Sequence, residues 1–132
     1  MTETFHTVSR NTKYVTEILQ IIREKQHVTN AEIIATLRKS YPQVSATTVH
    51  RVSARLAKRG VIGLGPNDRH GSIRYDANPV LHDHFVCSVC DGMRDMDIAK
   101  HVVPHIVRAL DGCAISGRLV IYGSCQKCLK KE

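Results

Sequence analysis

A chain of 132 residues has room for one ordinary domain or two small ones. Its opening stretch, Met1 to Asn11, is polar, and no apolar run approaches the roughly 18 residues of a membrane span, so the sequence predicts a cytoplasmic protein and not a secreted or membrane-embedded one. The net charge of +7 is unevenly spread: residues 1–80 carry 12 Lys and Arg against 6 Asp and Glu, a net of +6, whereas residues 81–132 carry 7 against 6, a net of +1. This asymmetry predicts a nucleic-acid-binding half, residues 1–78, joined to a near-neutral regulatory or assembly half, residues 79–132.

In chain order, the apolar positions Val15, Ile18, Leu19 and Ile22 recur at helical spacing from Thr12 to about Lys25. A second helix is expected at Thr29, where Thr29-Asn30-Ala31-Glu32 has capping-box form and Ile33, Ile34 and Leu37 make a buried stripe. Tyr41-Pro42 ends it. Ser45 caps a third helix whose inward positions are Val49, Val52 and Leu56, with Gly60 as its C-terminal stop. Val61 to Leu64 and Ser72 to Tyr75 then flank a turn rich in Gly, Pro, Asn and Asp, which reads as a hairpin. Three helices followed by a two-stranded wing is the order of a winged helix-turn-helix. Ser45, Thr47, Thr48, His50, Arg51, Arg55 and Lys58 give the third helix the mixture of base-edge hydrogen-bonders and phosphate partners that a major-groove helix requires. A solvated basic face is the plain alternative. Arg69 and Arg74 of the wing, with the N-terminal charge excess, favour DNA.

After Asn78-Pro79, a hinge, the character changes. His84 to Cys87 and Gly92 to Met96 read as strands. Ile98 to Leu110 is helical by periodicity, with Pro104 expected to kink it or shift its start. Arg118 to Tyr122 is a final strand running into Cys125. Two Cys-x-x-Cys pairs, Cys87/Cys90 and Cys125/Cys128, have the arrangement of a closed tetrahedral zinc site. Two disulfides are the rival reading, but in a reducing cytosol such pairs more often bind metal. The 34 residues between the pairs exceed a compact zinc ribbon, so the ion is expected to staple distant parts of one domain. Cys113, left over, reads as a small core residue. His82-Asp83-His84, just before the first pair, offers nitrogen and oxygen ligands suited to a harder, exchangeable ion.

The order winged helix, hinge, His-x-His-x-x-Cys-x-x-Cys, helix, strand and second Cys-x-x-Cys resembles the ferric uptake regulator family of bacterial metalloregulators over nearly the whole chain. Ser45-Ala46-Thr47-Thr48-Val49-His50-Arg51 is similar to that family's recognition-helix signature, with His50 where Tyr is usual. His82 to Cys87 is similar to its ligand segment, and Tyr122-Gly123-Ser124-Cys125 to its approach to the last cysteine pair. Asn11-Thr12-Lys13-Tyr14 departs from the family's Thr-Pro-Gln-Arg, and little chain follows Cys128 for the family's terminal helix.

The resemblance implies an α+β fold: an N-terminal winged helix-turn-helix DNA-binding domain plus a small C-terminal α/β dimerisation domain with a four-cysteine zinc site. It implies a homodimer that binds double-stranded operator DNA and represses transcription. It also implies a regulatory Fe(II) or Mn(II) held by His27, Asp76, His82, His84 and Asp95, tying the DNA-binding half to the dimerisation half; taken singly, each of these is more often a surface residue. Asp at position 95, where iron-uptake regulators usually have Glu, resembles the peroxide-responsive repressor branch, in which a ligand imidazole, here His27 or His82, is oxidised and DNA is released. The family's additional dimer-domain metal site is incomplete, with Leu81 and Gly117 where His residues stand. Iron-, manganese- or zinc-responsive repression of metal uptake remains an alternative, as does a constitutive zinc-stapled nucleic-acid-binding adaptor. A zinc hydrolase or deaminase is not expected, because no His-x-Glu supplies a proton shuttle.

Overall fold

The computed structural model of the protein describes residues 9–131. The chain divides into two compact units, Met1–Pro79 and Val80–Glu132. His6 lies outside the described residues. No described helix is long and apolar enough to cross a membrane.

The first unit runs α1 (Ser9–Lys25), β1 (His27–Thr29), α2 (Asn30–Leu37), α3 (Ala46–Lys58), β2 (Gly63–Leu64) and β3 (Arg74–Asp76). Ile18 and Ile22 of α1, Ile33 and Leu37 of α2, and Val49, Val52 and Leu56 of α3 close on one another with Val28, Ile62 and Tyr75. Burial of that much aliphatic side chain is the main stabilising term. The caps fix where each helix starts and stops. Thr29 Oγ1 accepts from the Glu32 N–H while the Glu32 carboxylate accepts from the Thr29 N–H, so the capping box is complete. Ser45 Oγ accepts from the Thr48 N–H at the head of α3. At its tail, Gly60 takes φ +75°, and the N–H groups of Gly60 and Val61 reach back to the carbonyls of Ala57 and Leu56. A residue with a side chain is strained in that left-handed geometry.

Three expectations for this unit are corrected. Helix α1 begins at Ser9, before the apolar periodicity does. The wing strands are shorter than the hairpin read from the sequence, and β3 lies between β2 and an unforeseen partner, β1. Because β3 is the central strand, Arg74 is 6% exposed and is no part of a DNA-facing wing surface. Arg69 remains exposed in the turn. That turn is organised by Asp68, whose Oδ1 accepts from the N–H groups of Ser72 and His70, and these bonds, the first above all, hold its carboxyl below the usual range.

The second unit runs β4 (Asp83–Cys87), β5 (Met93–Met96), α4 (Ala99–Ala109), β6 (Val120–Gly123) and α5 (Gln126–Lys130). Its sheet has the order β5-β4-β6, with β5 antiparallel and β6 parallel to β4. The parallel pairing sets Cys87 opposite Gly123, two residues before Cys125, which is how pairs distant in sequence meet. A Cβ at Gly123 would stand 3.1 Å from the Phe85 ring, so glycine lets β6 lie close there. Pro104 stays inside α4 and neither breaks it nor moves its start. Proline costs the helix the bond to the Lys100 carbonyl, and Lys100 is exposed, so that carbonyl is not shut away from solvent as it would be in a core. Cys113 is exposed in the loop after α4, not in the core as its residue type suggests. A five-residue helix, α5, carries Cys128.

Candidate metal centres and nucleic-acid interface

Side chains alternate across β4, so Asp83, Phe85 and Cys87 face one way and His84 the other, with His82 just before the strand in phase with His84. One short segment thus feeds two different groups of ligands. On the cysteine side, Cys87, Cys90, Cys125 and Cys128 bring their sulfurs within 4.8 Å of one another. Cys87 Sγ lies 3.8 Å from Cys128 Sγ, and Cys90 Sγ lies 3.8 Å from Cys125 Sγ. A disulfide needs about 2.05 Å, whereas a tetrahedron with zinc–sulfur bonds of about 2.3 Å has edges of about 3.8 Å. All four are free thiols at the second spacing, so the donor set fits zinc and not a pair of disulfides.

The electrostatics point the same way. The N–H groups of Cys90 and Cys125 approach Cys87 Sγ at 3.5 and 3.3 Å and bring its thiol from 9.0 down to about 6. Cys125 is lowered too, chiefly by the Cys128 N–H. Cys128 is pushed up to about 12, because its thiol is shared with Cys125 and removed from water. Some sulfurs in this cluster ionise only while a neighbour keeps its proton. A divalent cation lets all four be thiolates together.

On the other face of β4, His84 stands directly across from Asp95 of β5. The Nε2 atoms of His82 and His84 lie 3.0 and 3.3 Å from the same Asp95 Oδ1, and the two rings are 4.4 Å apart. His82 Nδ1 is 2.6 Å from the Val80 carbonyl oxygen. That carbonyl can only accept, so Nδ1 carries the proton and, in a neutral ring, Nε2 presents its lone pair to a carboxylate. Electron pairs turned on one another in this way need a cation or an extra proton. Neighbouring ligand atoms on an ion with bonds of about 2.1 Å are separated by about 3.0–3.4 Å, the range found here. An Nδ1–H bonded to a backbone carbonyl is also the outer-shell arrangement by which ligand histidines are oriented.

In the first unit, His27 and Asp76 are register partners on β1 and β3 and so share a face. His27 Nε2 is 3.3 Å from Asp76 Oδ2. Asp76 is 1% exposed, and its Oδ1 accepts from the Asn78 N–H, which fixes the carboxylate. Each unit therefore gathers its own share of the residues that the resemblance assigns to a regulatory ion.

Helix α3 exposes Thr47, His50, Arg51, Arg55 and Lys58, while Val49, Val52, Ser53 and Leu56 are buried beneath them. Ser45 and Thr48 are less available than expected. Ser45 Oγ is engaged as the cap, and the half-buried Thr48 hydroxyl bonds it at 2.9 Å. His70, His101 and His105 are exposed and belong to neither group of ligands.

Asp83, read from the sequence as an oxygen donor beside the two histidines, belongs to neither group of ligands, because both its carboxylate oxygens are engaged by backbone N–H groups. This residue is buried: its Oδ2 accepts from the Ala99 N–H at the head of α4, and its Oδ1 from the Leu119 N–H before β6. Both partners are far along the chain, and the only sequence signal was an acidic residue set between two histidines. Sequence reasoning missed Asn30, an N-terminal residue of α2 that hydrogen-bonds His50 and Ser53 of α3.

Residues 6–108 match the ferric uptake regulator family. The chain belongs to that family. It is 29% identical over 119 residues to the peroxide operon regulator of Bacillus subtilis, spanning 85% of this chain and 78% of the relative. It is 28% identical over 115 residues to the peroxide-responsive repressor PerR of Staphylococcus epidermidis, spanning 82% and 73%. Among solved structures, the Campylobacter jejuni peroxide stress regulator superposes with a TM-score of 0.69 at 23% identity, covering 96% of this chain and 97% of that one. The Helicobacter pylori ferric uptake regulator gives 0.72 at 19% identity, covering 96% and 89%. The architecture of this family, a winged helix-turn-helix followed by a small α/β unit, is the α+β fold described above.

Proposed function

We propose that this protein is a cytoplasmic, metal-dependent transcriptional repressor that binds operator DNA as a homodimer and responds to hydrogen peroxide. The observation that carries this reading is the convergence of His82 and His84 Nε2 on one oxygen of Asp95, with His82 held from behind by a backbone carbonyl. Family membership and the peroxide regulators among the relatives support it.

The four cysteines hold structural zinc. His27, Asp76, His82, His84 and Asp95 contribute to one regulatory ion, as the family resemblance implies. Nitrogen and carboxylate donors suit Fe(II) or Mn(II) better than a soft ion. Bound Fe(II) supplies the redox chemistry by which peroxide oxidises a ligand imidazole. The residues' own contribution is to orient that imidazole and keep the zinc thiolates on the opposite face of β4.

Dimerisation rests on α4 and β6. Helix α4 has a stripe of Val102, Val103, Ile106 and Val107 but no fully buried residue. Strand β6 is a sheet edge with Ile121 and Tyr122 exposed. A second copy would cover this apolar surface and set two α3 helices toward successive major grooves.

The test is anaerobic operator binding by protein loaded with Fe(II), Mn(II) or Zn(II), each repeated after a brief, low peroxide pulse. The Fe(II) form is expected to release DNA and to gain one oxygen on His27 or His82, while the Mn(II) form keeps its DNA. Asp95→Glu is expected to blunt the peroxide response and preserve metal-dependent binding. Equal resistance of the Fe(II) and Mn(II) forms would leave a repressor that reports metal supply. DNA binding indifferent to all three metals would leave a constitutive adaptor.

A further inference from the structure

The recognition helix carries a histidine whose donor pattern is set by a second helix. His50 Nδ1 lies 3.0 Å from Asn30 Nδ2, and Asn30 Oδ1 lies 2.8 Å from Ser53 Oγ. Ser53 is fully buried, half-buried Asn30 sits at the start of α2, and His50 is exposed. A serine hydroxyl has one proton to give. Two acceptors are in reach, Asn30 Oδ1 at 2.8 Å and the His50 carbonyl at 3.3 Å, and the shorter bond takes the proton. With its oxygen turned to Ser53, the Asn30 amide must turn its NH2 to His50. Nδ1 therefore accepts, and the proton of the neutral imidazole resides on Nε2.

A histidine locked in that tautomer offers the groove a donor and no acceptor. The Tyr usual at this position in the resembling family has a hydroxyl that does both. In the major groove a lone donor is satisfied by N7 of a purine, O6 of guanine or O4 of thymine, and is opposed by the amino groups of cytosine and adenine.

We propose that Asn30 and Ser53 fix His50 as an obligate donor, so that α3 selects a base presenting an acceptor edge where His50 meets the operator. Asn30 is thus a positioning residue for specificity without touching DNA. This rests on the DNA-binding reading above.

Two measurements on the full-length, zinc-loaded protein test it. Nitrogen-15 NMR of the imidazole is expected to place the His50 proton on Nε2 in the wild type. In Asn30→Asp, whose carboxylate can only accept, the proton should move to Nδ1 or the ring should become a cation. Selection from a randomised duplex library with the Mn(II)-loaded protein is expected to yield an operator in which one base per half-site depends on His50. His50→Ala should lose about tenfold of discrimination at that base and leave the others unchanged. Asn30→Asp should alter preference at the same base only, with thermal melting confirming that it folds.

A wild-type ring protonated on Nδ1, or a His50→Ala profile equal to wild type while the wild type still enriches a sequence, overturns the proposal. A wild-type protein that enriches no sequence overturns the DNA-binding reading and this proposal together.

Discussion

Replacing Cys87 with serine is expected to unfold the second unit while the winged unit stays folded. Among the described residues of the second unit, only Val86, Cys87 and Cys128 are buried and apolar, and two of those three belong to the proposed zinc site. Helix α4 buries none of its side chains completely. So thin a core supplies little stability by itself, and small domains of this kind depend on a staple. Structural zinc of this type binds with an apparent free energy of about 10–16 kcal/mol, as large as the whole stability of an ordinary domain, about 5–15 kcal/mol. The first unit draws instead on the aliphatic cluster from Ile18 to Tyr75. Hydrogen exchange on zinc-depleted Cys87→Ser protein should find residues 80–131 unprotected and α1 to α3 protected. Protection retained across β4 and β6 without zinc would mean that the cysteines are not the staple.

The second large effect concerns regulation. His84→Ala is expected to weaken Mn(II) binding by more than about 100-fold and to abolish the metal's effect on DNA affinity, because loss of merely an outer-shell partner in such sites costs about 10–100-fold. His84 is 1% exposed at the centre of the sheet, so its removal also leaves a cavity. His82→Ala is the companion variant, since His82 lies outside the strand and contributes less packing. Both should retain zinc and basal, metal-independent DNA binding. Mn(II) titrations in which either variant stays within threefold of wild type would remove the His82, His84 and Asp95 trio from the regulatory site.

How far the sequence could be read follows from how local each signal is. Helix α3 was legible because its cap, inward stripe and stop all lie within sixteen residues, Ser45 to Gly60. The cysteine pairs were legible because their spacing is itself the chemistry. Strand β1 was not: three residues between two helices have no periodicity, and His27 to Thr29 become a strand only by pairing with β3 nearly fifty positions later. The burial of Arg74 has the same origin, since a strand that looks like half a hairpin becomes central once β1 is added. Cys113 shows the limit of residue type as a guide, because loop position and not hydrophobicity decides its exposure. The gathering of His82, His84 and Asp95 depends on the β4/β5 register, which alternation suggests but cannot fix. Family resemblance supplied the ligand names. It did not supply the Val80 carbonyl behind His82, or the two backbone bonds that tie Asp83 to α4 and β6.

The parallel pairing of β4 with β6 has a consequence for biosynthesis. Cys87 and Cys128 touch across 41 positions of sequence, and β4 gains its parallel neighbour only after α4 has been made. At about 5–20 residues per second, a ribosome needs about 2–8 s to travel that distance. During those seconds the winged unit, complete by Pro79, can fold alone. The β4/β5 hairpin is then a marginal two-stranded ribbon with two reactive thiols and no closed site. Closure of the four-cysteine site therefore waits until Cys128 has been made, and Cys87 and Cys90 are exposed to oxidants before zinc can shield them. Protease resistance in nascent chains of increasing length should appear first in residues 9–79, and beyond them only once Cys128 has emerged and zinc is present.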